Sequence, residues 1–284
     1  RVLFRSTTIV EARDKPGGRA YYWERDGFVF DGGPTVITDP DCLTQLWELT
    51  GADMKDDVEL EPVFPFYRLN WPDGTNFDYV NDPEELYANI AAIEPDDVEG
   101  YKKFLEYSGG LYEEGYVKLG TKAFLDFKSM IKAAPALMKY EAYRSVYSKV
   151  SGFVKNEKLR EFLSFQSLLV GGNPMKTSAI YGLIHKLERL GGVWFAKGGT
   201  NMLVAAMVKH FERIGGVIRL DDPVTSIDTI GDRASGVTCK SGWSERFDAV
   251  ASNADVMHSY RDLLGPKHRS SSVTAKLKKK KYSP

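Results

Sequence analysis

What the chain has little of sets the first limits. Two of its 284 residues are cysteine, Cys42 and Cys239, too few for a disulfide scaffold or a cysteine-built zinc site, and so sparse a set fits a reducing compartment. No run approaches 18 consecutive apolar residues, which excludes a transmembrane helix in this stretch. Histidine is scarce, at four. Neither His185 nor His210, both in helical segments, has a metal-ligand or triad context, so both read as structural and no metal site is expected. An excess of either charge is missing too: 38 Lys+Arg against 39 Asp+Glu leave a formal net charge of -1, which offers no bulk attraction to nucleic acid. Neither an initiator Met nor a signal peptide opens the sequence at Arg1.

What is present is globular. At 43% hydrophobic and 27% charged, the chain has enough apolar residues for one large domain or two small ones. Residues 7–11, Thr-Thr-Ile-Val-Glu, predict a short strand ending in an acid. A turn with Pro16, Gly17 and Gly18 follows. Tyr21-Tyr-Trp23 and Phe28-Val-Phe30 flank Arg25-Asp-Gly27 as a hairpin. Gly32-Gly-Pro-Thr35 makes another sharp turn, and a helix starts over Asp41–Leu49. Residues 61–80 carry strand signals broken by the turn Trp71-Pro-Asp-Gly74.

From Pro83 the pattern becomes helical. Asp82 is placed to cap a helix with Glu84 and Glu85 in its first turn, and 95–165 holds long helical stretches with few strong breakers. Ile180, Leu183, Ile184, Leu187 and Leu190 recur on one face of a helix over 176–190, ended by Gly191-Gly192. Another helix covers 200–213 with Leu203, Ala206, Met207 and Phe211 inward. Val217–Leu220, Asp222–Ile227, Ala234–Val237 and Asp248–Ser252 return to strand and turn signals. The class is therefore α/β, with strands and helices at both ends (1–82 and 191–275) and a helical insertion over 83–190. A basic run at 276–284 has no apolar face and reads as a solvated, disordered tail.

The first residue to suggest chemistry is Glu11. An acid closing the second strand of a dinucleotide-binding βαβ unit accepts hydrogen bonds from a ribose. Taken alone, an acid after a strand is an ordinary surface residue, and the Gly-x-Gly-x-x-Gly loop that should lie about 20 residues earlier has no room in the ten residues before Glu11. The string Glu11-Ala-Arg-Asp-x-Pro-Gly-Gly-Arg19 is more specific. It resembles the second half of the flavin-binding signature of amine oxidase-like flavoproteins. Phe28-x-Phe-Asp-x-Gly-Pro-Thr-Val-Ile37, Glu99-Gly-Tyr-x-x-Phe104, Arg144-Ser-Val-Tyr-Ser-Lys149, Ser167-Leu-Leu-Val-Gly-Gly-Asn-Pro174, Trp194-Phe-Ala-Lys-Gly-Gly-Thr200 and Ala251-Ser-Asn-Ala-Asp255 resemble the carotenoid desaturase family, specifically its bacterial phytoene desaturase branch, over roughly 7–270.

That resemblance implies a Rossmann-like FAD-binding fold, truncated here, with a helical region that meets substrate and membrane. It implies FAD as cofactor, with Glu11 on the adenosine ribose and Arg13 beside it. Gly17, Gly18 and Arg19 would lie against the pyrophosphate, where glycine permits close approach and arginine neutralises charge; the plainer account of Arg19 is a solvated surface residue. Gly32, Gly33, Pro34 and Thr35 would line the cavity near the isoalloxazine, and Val224 would meet the adenine edge through its backbone. Trp194–Thr200 is either a core strand and turn or a border of the substrate channel. Asn253 and Asp255 are expected to support a turn.

The implied chemistry is FAD-dependent desaturation of phytoene toward lycopene, an oxidoreduction at a CH–CH pair with hydride passing to flavin. Family members place an acid and an arginine one turn apart after a Phe-Leu-x-Phe segment. The matching places after Phe124-Leu-Asp-Phe127 are Ser129 and Lys132; the serine cannot replace a carboxylate as base near neutral pH, a departure that leaves the base unassigned, and the resemblance implies Lys132 as the candidate catalytic residue. Over 124–150, apolar residues interleave with Lys128, Lys132, Lys139, Arg144 and Lys149. Such a stretch suits a membrane interface, as a lipophilic polyene substrate requires, and a peripheral position on the cytoplasmic face of the membrane. It equally suits a helix packed on the protein with snorkelling lysines. With the glycine loop absent and the family's C-terminal flavin segment beyond Pro284, this stretch alone is expected to bind FAD weakly or not at all. A related isomerase or desaturase of another substrate, or a non-catalytic lipid-binding role, stand as alternatives.

Overall fold

The computed structural model describes residues 6–123, 126–265, 268 and 271–279. Its strands in chain order are β1 (Thr8–Val10), β2 (Tyr22–Arg25), β3 (Phe28–Asp31), β4 (Leu60–Pro62), β5 (Tyr67–Asn70), β6 (Asn76–Tyr79), β7 (Trp194–Ala196), β8 (Val217–Arg219), β9 (Val224–Ile230), β10 (Arg233–Cys239) and β11 (Ser244–Arg246). The α-helices are α1 (Pro40–Glu48), α2 (Pro83–Ile93), α3 (Val98–Leu111), α4 (Phe127–Lys139), α5 (Val146–Val150), α6 (Glu157–Ser164), α7 (Leu183–Gly191), α8 (Thr200–Arg213), α9 (Val256–His258) and α10 (Ser271–Lys278). Mixed helix and strand give the α/β class expected.

The chain divides into two compact units. The first takes residues up to Thr35, Trp47–Glu59 and those from Ala196 to Tyr282, and the second takes Val36–Leu46 and Leu60–Phe195.

In the first unit β1 pairs parallel with β8, Ile9 opposite Ile218, and the ladder runs on through Glu11 N to Arg219 O at 2.8 Å. A parallel pair needs a long crossover, and α8 leads directly into β8. The β2–β3 hairpin forms because Asp26 and Gly27, at φ 53° and 81°, supply the left-handed turn that two closely joined antiparallel strands demand. β9, β10 and β11 form an antiparallel meander. Behind α8, Asp57 is buried and takes hydrogen bonds from Arg213 Nη2 at 2.6 Å and Trp47 Nε1 at 2.8 Å. These, Arg213 first, hold its carboxyl well below the usual carboxylate range. His210 stacks on Trp47 and lies between Thr50 and Arg213, a structural place.

The core of the second unit is aromatic. Phe66, Phe77 and Tyr79 from the β5–β6 hairpin pack with Tyr101 and Phe104 of α3 and with Leu159, Phe162 and Leu163 of α6. Asp82 caps α2 as the sequence predicts, its carboxylate accepting from Glu85 N at 2.8 Å.

Several elements differ from the sequence reading. The helix expected over 176–190 begins only at Leu183, because Ser178 caps a separate 3-10 turn over Ala179–Gly182. Its buried face is Ile184, His185 and Glu188, while Leu190 is 57% exposed. The helical stretch over 95–165 is interrupted: α3 passes into a π-helical segment at Tyr112–Lys118, and Glu141 takes φ 51° after α4. Asp248–Ser252 forms no strand. Of the basic run read as disordered, Lys276–Lys278 close α10, and 280–284 lie outside the described residues, as do Arg1–Arg5, Phe124 and Leu125.

Candidate functional site

The residues singled out around Glu11 fold together at one edge of the first unit. Glu11 sits just past the C-terminal end of β1, where a parallel strand delivers its last side chain to a ligand. One carboxylate oxygen, Oε1, accepts from Arg13 N at 2.9 Å, which tightens the turn and leaves the second oxygen available. Arg13 O accepts from Asp221 N and Glu11 O from Asp222 N, so the chain beyond β8 holds this turn from the other side. A surface hollow lined by Arg13, Asp14, Tyr21, Trp23 and Asp221 opens beside it, with the Arg13 guanidinium 4.9 Å from the Tyr21 ring centroid.

The glycines that follow are required by conformation and space. Gly17 has φ 121° and Gly18 φ 56°, values that favour glycine. A Cβ on Gly18 would meet nothing within 4 Å, so the backbone here faces open space. Arg19 is exposed and has no ion-pair partner among the described residues. An open glycine turn with a free guanidinium is the donor set that a pyrophosphate needs.

A second glycine turn lies close by. A Cβ on Gly33 would stand 2.0 Å from Arg19 O, and one on Gly32 2.2 Å from the Trp23 ring. Both positions therefore exclude any larger residue, and the exposed Gly32–Thr35 turn is packed against the backbone that carries Arg19. Val224 opens β9 in the same unit, paired in register with Cys239.

Lys132 is exposed on α4, in the second unit. Ser129, one turn earlier, donates its hydroxyl to Asp126, the residue that caps α4. Asp255 caps α9 through Met257 N at 2.8 Å, a turn-supporting place. Among the described residues no cluster of His, Cys, Asp and Glu is arranged to hold a metal ion.

Two groups of residues escaped the sequence reading. Asp31 and Thr200 brace the second glycine turn, though both lie inside quoted motifs. In the second unit, Glu188 is buried in a polar cluster with His185, whose structural place the sequence indicates. Tyr67 donates to Glu188 at 2.9 Å, and Gln166 reaches both Glu188 and His185. Because the Gln166 amide nitrogen can only donate, His185 Nδ1 is an acceptor and Nε2–H points to Tyr101 Oη at 3.0 Å. Burial, with Arg189 and Lys186 adding to it, pushes His185 down to about 3, so it is neutral. Burial also pushes the Glu188 carboxyl up to about 7 against the opposing hydrogen bonds from Tyr67 and Gln166. The signal for Glu188 was its spacing of four from Ile184, a polar residue on an apolar face.

A strand-end acid, an open glycine turn with a free arginine and a second glycine turn packed on the first thus lie together in the first unit. The family model for flavin-containing amine oxidoreductases matches residues 5–284, and the chain belongs to that family. The lycopene-forming phytoene desaturase of Paracoccus sp. (strain N81106 / MBIC 01143) is 60% identical over 278 residues, covering 98% of this chain and 56% of that protein. The lycopene-forming enzyme of Pantoea ananas is 51% identical over 275 residues, 97% and 56% of the two chains. A Pyrococcus furiosus protein of known structure shares the fold, with a TM-score of 0.63 at 17% identity over 97% of this chain and 59% of that one. The chain spans about half the length of the curated relatives it matches.

Proposed function

We propose that this chain forms part of an FAD-dependent phytoene desaturase that converts phytoene toward lycopene. The single observation that carries the reading is the open Gly17–Arg19 turn beside the Glu11 carboxylate, folded at the end of a parallel strand in a chain of a flavin-containing family. In this reading β1 and β8 belong to a Rossmann-like FAD-binding sheet, and residues 83–190 form the region that meets substrate and membrane.

Glu11 holds the adenosine ribose through its second carboxylate oxygen, and Arg13 borders the same hollow. Gly17 and Gly18 bring backbone close to the pyrophosphate, and Arg19 neutralises its charge. Gly32, Gly33, Pro34 and Thr35 wall the flavin ring, and the Val224 backbone faces the adenine. When bound, FAD supplies the hydride-accepting chemistry. The protein's part is to orient the polyene and exclude water. Lys132 is the residue we assign to proton handling.

A polyene substrate is dissolved in lipid, so α4 is assigned to the cytoplasmic membrane interface. Its support is exposure: Phe127 is 79% and Ile131 57% exposed, with Met130 and Met138 also open, beside Lys128, Lys132 and Lys139. No described helix is long and apolar enough to cross a membrane.

Arg19→Ala tests the site directly. Loss of a charge-assisted phosphate contact lowers FAD affinity roughly tenfold or more, read by equilibrium dialysis against wild type. Equal affinity in the two proteins would remove Arg19 from the site.

A further inference from the structure

Neither glycine turn of the candidate site stands alone, and one helix backs both. The N-cap residue of α8, Gly199, has φ 99° and no side chain to offer the free amides of the first turn. Asp31, the last residue of β3, does that work from far away in sequence. Its Oδ2 accepts from Thr200 N at 2.9 Å and its Oδ1 from Asn201 N at 3.3 Å. In return, Thr200 Oγ1 donates to Pro34 O at 2.6 Å. The Gly32–Thr35 turn is thereby fastened at three points: Gly32 N to Tyr21 O at 2.7 Å, Gly33 flush against Arg19 O, and Pro34 O on the Thr200 hydroxyl.

The same helix touches the other turn. A Cβ on Gly17 would lie 3.5 Å from Val204 Cγ1, one turn along α8 from Thr200. So α8 backs both the Gly17–Arg19 turn and the Gly32–Thr35 turn. The Asp31 carboxylate also occupies the amides at the start of α8 and offsets its positive end. That end is closed to an anionic ligand.

We propose that Asp31 and Thr200 are positioning residues for the flavin: they clasp the Gly32–Thr35 turn to the N-terminus of α8 and set the wall against which the ring system lies. This rests on the flavin reading above. It separates the two ends of the cofactor, because the clasp acts at the ring end while Glu11 and Arg19 serve the nucleotide end. FAD needs both ends, whereas ADP needs only the second.

The test sets this chain in place of its 278-residue match in the Paracoccus relative and titrates that full-length protein with FAD and with ADP up to millimolar concentrations, comparing the unsubstituted chain, Thr200→Val, Thr200→Ser and Asp31→Ala. Thr200→Val keeps the branched shape of a buried residue and removes only the hydroxyl. The expected result is a loss of roughly tenfold in FAD affinity for Thr200→Val, since Pro34 O loses its donor, with a changed absorption envelope of the bound flavin. ADP affinity stays at the wild-type value, and Thr200→Ser recovers FAD binding. Asp31→Ala gives the same split between FAD and ADP. Equal FAD affinity in wild type and Thr200→Val overturns the positioning role while leaving the flavin reading in place. A parallel fall of FAD and ADP overturns it as well, because that is what general loosening of the fold produces. An unsubstituted full-length protein that binds neither ligand overturns the flavin reading, and the clasp's role with it.

Discussion

Glu188 shows how far a single side chain can depart from what its position in the sequence implies. It lies fully buried on α7, and burial outweighs the hydrogen bonds from Tyr67 and Gln166, so its carboxyl is pushed up from 4.5 to about 7. A carboxyl that holds its proton more tightly in the folded state contributes stability that is complete below the unfolded value and is lost as pH rises through the folded one. The fold therefore loses stability as pH rises through the interval from 4.5 to about 7, by about 3 kcal/mol from this residue. Glu188→Gln keeps an acceptor for Tyr67 and has no proton to lose. Urea unfolding across that interval should show wild type falling relative to Glu188→Gln, whereas parallel curves would mean another group titrates. Residues of this kind were the hardest to read from sequence. Glu11, Gly17 and Gly18 were legible because a strand-end acid and a turn needing positive φ are local features. Asp31 and Glu188 take their roles from partners 169 and 121 residues away, beyond the reach of any local pattern.

Among the elements, those with chemical end signals matched expectation. The β2–β3 hairpin is fixed by Asp26-Gly27, and α2 by the Asp82 cap and Pro83. α7 was misjudged because apolar spacing at 180, 183, 184, 187 and 190 continues through a 3-10 turn that periodicity cannot distinguish from α-helix. α4 was legible as amphipathic, but which way its apolar face points was not. It buries only Ala133 and leaves Phe127, Met130, Ile131 and Met138 exposed among lysines. If that face enters a bilayer interface, each large apolar side chain adds about 1.5–3 kcal/mol of burial. Phe127→Asp with Ile131→Asp should then lower sedimentation with anionic vesicles by roughly tenfold or more while circular dichroism stays unchanged. Unchanged vesicle binding would assign α4 to another contact.

At the scale of the molecule, the alternation of strand and helix at both ends identified the α/β class, but the division into two units was not visible. The first unit is assembled from three separated stretches, with Thr8 paired to Val217, and a parallel pairing of that separation leaves no periodic trace. Local strings carry more than periodicity does: Glu11–Arg19 and the motifs after it point to the family without any strand pairing. The central claim concerns what the complete site does, so the decisive measurement sets this chain in place of its 278-residue match in the Paracoccus relative. The FAD-loaded protein is given phytoene in liposomes, and the absorbance of the extracted pigment is followed. Stepwise red-shifted polyene bands ending at lycopene are the predicted result. Bound FAD with no new bands would contradict the desaturase assignment and move this chain to a flavoprotein of another substrate.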